Sequence, residues 1–235
     1  GCYGYTGKLI SELAAAQKVP VTLAGRDAAK VKELAQNLNL PFRVFDLKNE
    51  SDVTAGLKDV KVVLHCAGPF RYTAKQMAAA CLKTKTHYLD ITGEYDVFED
   101  MFKLDKTAKD AGILLMPGVG FDVVPTDCLS LYLKDKVPNV DTLELALMMK
   151  GGSRSPGPAL TVAENLGDAC VVRRNGELEK VPNGKLLKQI KLNDDKKRNA
   201  VAIAWGDIST AFRTTGIPNI TVYNCLPDKV ISSMK

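Results

Sequence analysis

The sequence predicts a doubly wound α/β domain followed by an α+β domain, and three observations carry that prediction. Short apolar runs alternate with amphipathic stretches through the first half. A turn with glycines at positions 1, 4 and 7 opens directly into the first amphipathic stretch. After about residue 125 the alternation gives way to hairpin and chain-breaking patterns. Strands that read as continuous apolar runs, separated by helices, belong to a parallel sheet covered on both faces.

In order along the chain, Thr6 to Lys18 reads as a helix with Leu9, Ile10, Leu13 and Ala14 on one face. Val19 to Ala24 is a strand, and Ala28 to Leu38 a helix with Val31, Leu34, Ala35 and Leu38 inward. Phe42 to Phe45 is a strand, Glu50 to Leu57 a helix, and Val60 to Cys66 an apolar strand. A helix at Ala74 to Lys83, a strand at Tyr88 to Ile91, a helix at Val97 to Ala111 and a strand at Ile113 to Met116 complete the alternation. The domain is therefore bounded at 1–125, with 126–235 as the second domain.

In the second domain Asp127 to Leu133 reads as a short helix and Thr142 to Met149 as a strand. Gly151 to Pro158 is a loop rich in breakers, with Pro158 suited to the first position of a helix. Cys170 to Arg174 and Leu178 to Val181 form a hairpin turning at Asn175-Gly176. Val201 to Trp205 and Ile220 to Cys225 are strands around a polar segment.

The chain has 235 residues, 46% of them hydrophobic, so it holds enough apolar surface for a real core. The net charge is only +5. Its basic stretch, Lys185 to Lys191 and Lys196 to Arg198, is interrupted by Asp194 and Asp195 and has no interleaved aromatics, which fits a solvated strand pair rather than a nucleic-acid surface. The six cysteines form no CxxC and no Cys/His cluster. They read as free thiols of a cytoplasmic, reducing setting, with no metal site. No apolar run approaches the ~20 residues of a membrane helix.

Gly1, Gly4 and Gly7 have the spacing of a dinucleotide-binding turn of the Rossmann type. There they serve the tight turn, the backbone approach to pyrophosphate and the helix–sheet contact. Amides around Tyr5 and Thr6 would then face the anion at the helix start. The strand that normally precedes such a turn is absent from the sequence, and nothing evident closes the chain at Lys235. The chain is therefore expected to be incomplete at both ends. At the end of the second strand, Ala24-Gly25-Arg26-Asp27 places a guanidinium where an NAD domain has an acid. Arg26, with Lys30 one turn on, suits the 2′-phosphate of NADP(H) better than the hydroxyl of NAD(H). Asp27 reads as an N-cap. At later strand ends, Asp46 stands where it would accept from adenine, and Ala67, Gly68 and Pro69 where small residues let a dinucleotide pass.

These pieces, with His87-Tyr88-Leu89-Asp90-Ile91-Thr92-Gly93-Glu94, Gly120-Phe121-Asp122-Val123-Val124-Pro125 and Thr215-Gly216-Ile217-Pro218-Asn219-Ile220, resemble the saccharopine dehydrogenase-like NAD(P)-binding oxidoreductases and trans-acting enoyl reductases. The resemblance implies a Rossmann domain, a C-terminal α+β domain for substrate or dimerisation, and NADP(H) as cofactor. Cys2 stands where Ala is usual there, and Thr73 where Gly follows Tyr72.

A nicotinamide enzyme aligns hydride donor and acceptor and adds a group that manages the proton. No Tyr-x-x-x-Lys pair occurs, since Gln76 lies four residues after Tyr72. His65 reads as a packed core residue, His87 as a residue nearer a ligand. Tyr72, Glu94 and Asp122 are the candidates to meet a small-molecule or acyl substrate, with helix or turn capping as the plainer role of the two acids. Arg154, Asp207, Ser209, Thr210 and Arg213 are further polar residues of the second domain. No residue is assigned as the catalytic acid or base, and a homodimer is an open form. Two functions follow from these residues: an NADP(H)-dependent oxidoreductase, or a non-catalytic dinucleotide-binding sensor or assembly protein.

Overall fold

The computed structural model describes residues 1–148, 169–191 and 196–234. The predicted loop from Gly151, the helix expected after Pro158, and Arg154 lie outside the described residues. By internal contacts the chain divides into two units. One holds Gly1–Thr92 and Glu99–Val119; the other holds Gly93–Phe98 and the described residues from Gly120 onward.

The first unit is a Rossmann-like parallel arrangement. Strand β1 (Leu23–Gly25) pairs in parallel with β2 (Phe42–Val44). A second parallel ladder runs β3 (Val62–His65), β4 (His87–Asp90) and β5 (Leu115–Met116). Helices α1 (Tyr5–Ala16), α2 (Ala28–Leu38), α3 (Glu50–Gly56) and α4 (Ala74–Thr84) alternate with the strands. Local chemistry sets these boundaries. Asp27 caps α2 by accepting from the Lys30 amide at 3.1 Å, and Asn39 ends it in the left-handed conformation. Asn49 caps α3. The single helix expected over 97–111 is two, α5 (Tyr95–Lys103) and α6 (Asp105–Ala111), broken at Leu104.

The face of α1 differs from expectation. Leu9 and Leu13 are 51% and 57% exposed, and Gly7 and Ser11 are the buried residues. A Cβ on Gly7 would lie 2.2 Å from the Gly1 carbonyl oxygen. Close backbone approach, not the apolar stripe, sets which side of α1 faces inward.

The second unit is built on a six-stranded sheet ordered β8-β7-β11-β10-β9, with β6 parallel to β11 and the other pairs antiparallel. Its strands are β6 (Thr142–Leu147), β7 (Cys170–Arg174), β8 (Glu177–Val181), β9 (Leu187–Lys191), β10 (Lys197–Ile203) and β11 (Asn219–Cys225). The β7–β8 hairpin turns at Asn175 and Gly176, both at positive φ, as its dipeptide predicts. The basic stretch falls on the largely exposed β9 and the first residues of β10, whose centre is core. Helix α7 (Val124–Lys136) is longer than expected and takes Pro125 in its first turn.

Helix α8 (Asp207–Thr215) occupies what reads in sequence as a polar segment. Its β-branched residues have weak helix preference, but Ile208, Ala211 and Ile217 join Leu143, Leu145, Ile220 and Val222 in one core cluster. Burial of an isoleucine such as Ile208 contributes about 1.5–3 kcal/mol, which outweighs the propensity deficit. A short helix, α9 (Asp228–Ser233), follows β11 and was likewise not anticipated. No described helix is long and apolar enough to cross a membrane.

Candidate functional site

The glycine turn sits at the C-terminal end of β1. The Gly1 amino group and the Cys2 amide both donate to the Ala24 carbonyl, at 2.9 and 3.1 Å, and the Gly4 amide donates to the Gly1 carbonyl at 3.1 Å. A Cβ on Gly1 would fall 2.5 Å from the Cys66 carbonyl, just past β3. The cradle is therefore made of backbone, closed on both sides and without room for side chains. Gly4 caps α1 with no side-chain hydrogen bond, and the first turn holds no acid. Tyr5 and Thr6 are exposed there. Uncapped amides at a helix start, without a resident carboxylate, suit an anion, so the cradle fits the pyrophosphate of a dinucleotide.

Arg26 follows β1 directly, is exposed, and has no hydrogen-bond or ion-pair partner among the described residues. Lys30 is less free. Its ammonium lies 3.5 Å from the Asp27 carboxylate and 5.8 Å from the Tyr3 ring centroid. The Lys30 amide, and after it the ammonium charge, hold Asp27 below the usual carboxylate range. Arg26 is thus the cation left available at this strand end. Asp46, past the end of β2, is exposed and accepts the Lys48 amide at 2.9 Å, a turn contact that occupies one carboxylate oxygen.

The segment Ala67-Gly68-Pro69 leaves β3 through a cis Gly68–Pro69 peptide and enters a 3-10 turn, Phe70–Tyr72. Thr73 holds it. The Thr73 hydroxyl lies 2.6 Å from the Ala67 carbonyl and 3.0 Å from Nε2 of His65. Because a hydroxyl has one proton, donation to Ala67 makes His65 the donor in the second bond, so the imidazole carries its hydrogen on Nε2. Burial pushes His65 down to about 3, and it is neutral. The core role expected of His65 is observed, with an added one as anchor of this segment. Tyr72 is 58% exposed at the turn's end.

Asp90, the last residue of β4, is wholly buried and organises two loops. Its carboxylate accepts the Tyr88 hydroxyl at 2.6 Å, the Thr92 amide at 3.0 Å and the Gly118 amide at 2.7 Å. Burial raises its pKa, and these three bonds oppose that rise. His87 is different from its expectation. It begins β4, at the opposite end from the ligand edge of a parallel sheet, and its Nδ1 accepts the Leu114 amide at 2.9 Å.

In the second unit, Asp122 lies against Gly93, where a Cβ would come 2.9 Å from the Asp122 side chain. Burial raises the Asp122 carboxyl. The cap of α7 is Val123, with no side-chain hydrogen bond, so Asp122 is not the cap that the plainer reading assigned. Its carbonyl accepts the Trp205 indole at 2.8 Å. The Glu94 carbonyl starts α5 by accepting the Val97 amide at 3.1 Å. Asp207 opens α8, wholly buried, and burial pushes it up to about 7. The expected cofactor residues thus share the first unit with Tyr72, whereas Glu94, Asp122 and Asp207 belong to the second. In sequence Asp90 stands within the segment His87 to Glu94 with no role of its own, and Thr73 only as a departure from the family pattern. Asp90 had a signal, as an acid ending an apolar strand; Thr73 had none.

A shallow concavity of about 780 Å³ lies between α3 and α4, lined by Glu50, Thr54, Lys58 and Lys83 among others. None of the candidate residues lines it, and we assign it no part in the chemistry.

Residues 1–116 match the sequence family described as the saccharopine dehydrogenase NADP binding domain. This N-terminal region belongs to that family. Among curated relatives, the saccharopine dehydrogenase-like oxidoreductase of Bos taurus is 25% identical over 91% of this chain and 57% of its own length. The protein of that name from Mus musculus is 28% identical over 58% of this chain and 37% of its own. The trans-acting enoyl reductase of Mycobacterium leprae is 32% identical over 56% and 33%. The chain thus spans between about a third and just over half of these relatives. Apo saccharopine dehydrogenase (L-Glu forming) from Saccharomyces cerevisiae superposes with a TM-score of 0.69 at 17% identity, covering 94% of this chain and 53% of that one. That likeness establishes the shared fold.

Proposed function

We propose that this protein is an NADP(H)-dependent oxidoreductase of the saccharopine dehydrogenase-like type. The observation that carries the reading is Arg26, exposed and unpaired at the end of β1, beside an acid-free helix start built on glycines. The membership of residues 1–116 in an NADP-binding family supports it.

In this reading Gly1, Gly4 and Gly7 admit the pyrophosphate, and the amides at Tyr5 and Thr6 face it. Arg26 takes the 2′-phosphate, with Lys30 adding charge that Asp27 partly offsets. Asp46 keeps one carboxylate oxygen for adenine. Ala67, Gly68 and Pro69, fixed by Thr73, offer a side-chain-poor wall along which the dinucleotide runs. The bound nucleotide supplies or accepts a hydride. Residues 126–235 form the substrate or dimerisation domain, with Tyr72, Glu94 and Asp122 meeting a small-molecule or acyl substrate. All six cysteines are free thiols, which suits a reducing, intracellular compartment.

The test is a titration of NADPH and NADH against wild type and Arg26→Ala at one fixed salt concentration. A charge-assisted contact contributes about 1.5–3 kcal/mol, or roughly one to two decades in affinity. NADPH should bind wild type at least about ten-fold more tightly than NADH by this arithmetic. Arg26→Ala should lose most of that preference and keep its NADH affinity. Equal affinities in wild type, or a preference that survives the substitution, overturn the reading.

A further inference from the structure

Tyr3, the third residue of the glycine turn, is tied to the strand end that carries Arg26. Its hydroxyl accepts, at 3.3 Å, the Asp27 amide, which belongs to the peptide directly after Arg26. Its ring lies on Gly25, the last residue of β1, where a Cβ would come 2.6 Å from Cε1 and 3.2 Å from Cδ1. A side chain at residue 25 would displace the ring. The Lys30 ammonium stands 5.8 Å from the centre of the same ring. The ring also packs against the cluster of Leu23, Leu34 and Ala35 that joins β1 to α2. The phenol is thus half-buried and held in one place beside the exposed Arg26.

A tyrosine hydroxyl has a proton to give as well as lone pairs that accept. Tyr3 accepts from Asp27, and its own proton goes to no described residue. Two features of the strand end are therefore open to a ligand: the Arg26 guanidinium and the Tyr3 proton.

We propose that Tyr3 is a specificity-determining residue of the cofactor site, donating its hydroxyl proton to the 2′-phosphate assigned above to Arg26. The proposal rests on that NADP(H) reading. Chemistry favours the phosphate over the ribose hydroxyl of NAD(H). A phosphate oxygen only accepts and is charged, so a hydroxyl donating to it makes a charge-assisted bond, roughly twice as strong as a neutral one. Tyr3 also supplies what Lys30 does not. The Lys30 ammonium is drawn to the Asp27 carboxylate at 3.5 Å, which offsets part of its charge. A neutral phenol is not held in that way and keeps its proton for the ligand. Because Gly25 and the core cluster already fix the ring, little side-chain freedom is lost when the bond forms.

The test is a titration of NADPH and NADH against wild type, Tyr3→Phe, Arg26→Ala and the double variant, at one fixed salt concentration. Phenylalanine keeps the ring on Gly25 and under Lys30 and removes the hydroxyl alone. Tyr3→Phe should weaken NADPH binding roughly ten-fold, the lower end for a hydrogen bond to a charged group, and leave NADH binding unchanged. A loss of NADPH affinity should persist when Tyr3→Phe is added to Arg26→Ala, because each side chain reaches the phosphate by its own bond. A loss that vanishes in that background shows Tyr3 acting only by holding Arg26 in place, and overturns the donor. So does an equal loss of both nucleotides, which assigns Tyr3 to the folding of the glycine turn. Equal affinities of the wild type for NADPH and NADH overturn the cofactor reading and this donor together. A wild-type preference that Arg26→Ala abolishes and Tyr3→Phe keeps overturns the donor alone.

Discussion

Asp90 and Asp207 are both wholly buried, and burial raises the pKa of each, yet their surroundings are opposite. Asp90 in the first unit receives the Tyr88 hydroxyl and the Thr92 and Gly118 amides. Asp207 in the second receives no completed hydrogen bond. The difference separates two uses of a buried acid. Ringed by donors, a carboxylate is a bracket that fixes loops; buried without them, it is pushed toward its protonated form. A buried charge costs several kcal/mol unless it is compensated; three donors offset that cost at Asp90, and no completed hydrogen bond offsets it at Asp207.

The bracket is the half of this comparison that should break most visibly. Asp90→Ala leaves one hydroxyl and two amides buried without an acceptor. Each such group costs about 1–3 kcal/mol, so urea unfolding should show a loss on the order of 3 kcal/mol or more. A loss below about 1 kcal/mol would mean that water replaces the carboxylate freely and that the bracket is not structural.

Thr73→Val sharpens the same point with a smaller effect. The substitution keeps shape and removes the hydroxyl between His65 and the Ala67 carbonyl. One donor and one acceptor lose their partner, for an expected destabilisation of about 1–2 kcal/mol by denaturant midpoint. Weaker NADPH binding should accompany it, because Ala67, Gly68 and Pro69 are no longer held. Unchanged affinity would separate that segment from the nucleotide.

How much of this was legible in sequence follows the range of the forces involved. Helix α2 was readable to its ends, because its cap, its apolar period and its left-handed Asn39 are all local. The Asn175-Gly176 turn was readable for the same reason. Helix α8 was not. Its residues favour no local state, and its helicity comes from burying Ile208 and Ala211 against strands distant in sequence. At the candidate site, the glycine turn and Arg26 announce themselves by spacing. Leu9 and Leu13 misled, since periodicity reports an apolar stripe and not which side of a helix approaches backbone. Asp207 is wholly buried by the same long-range packing, and no short-range pattern encodes it.

Asp207→Asn should have the smallest effect at acid pH and one whose sign is set by linkage. Asp207 is pushed up to about 7 when folded, whereas an unfolded aspartate titrates near 3.9, approximately. Between those values the folded chain holds a proton that the unfolded chain has lost. Stability of the wild type therefore falls as pH rises through that window and levels off above it. Asparagine has the same shape and cannot ionise. At about pH 4, where Asp207 is protonated in the folded chain, the substitution should change stability by less than about 1 kcal/mol. As pH rises toward 7 the variant should gain on the wild type, because this group's contribution to the slope is gone. Asp90, whose carboxyl is also raised, contributes to both proteins alike and drops out of the difference. Chemical denaturation at four or five pH values measures it. Parallel curves for the two proteins would show that Asp207 titrates like an exposed acid, and the contrast with Asp90 would then be one of hydrogen bonds alone.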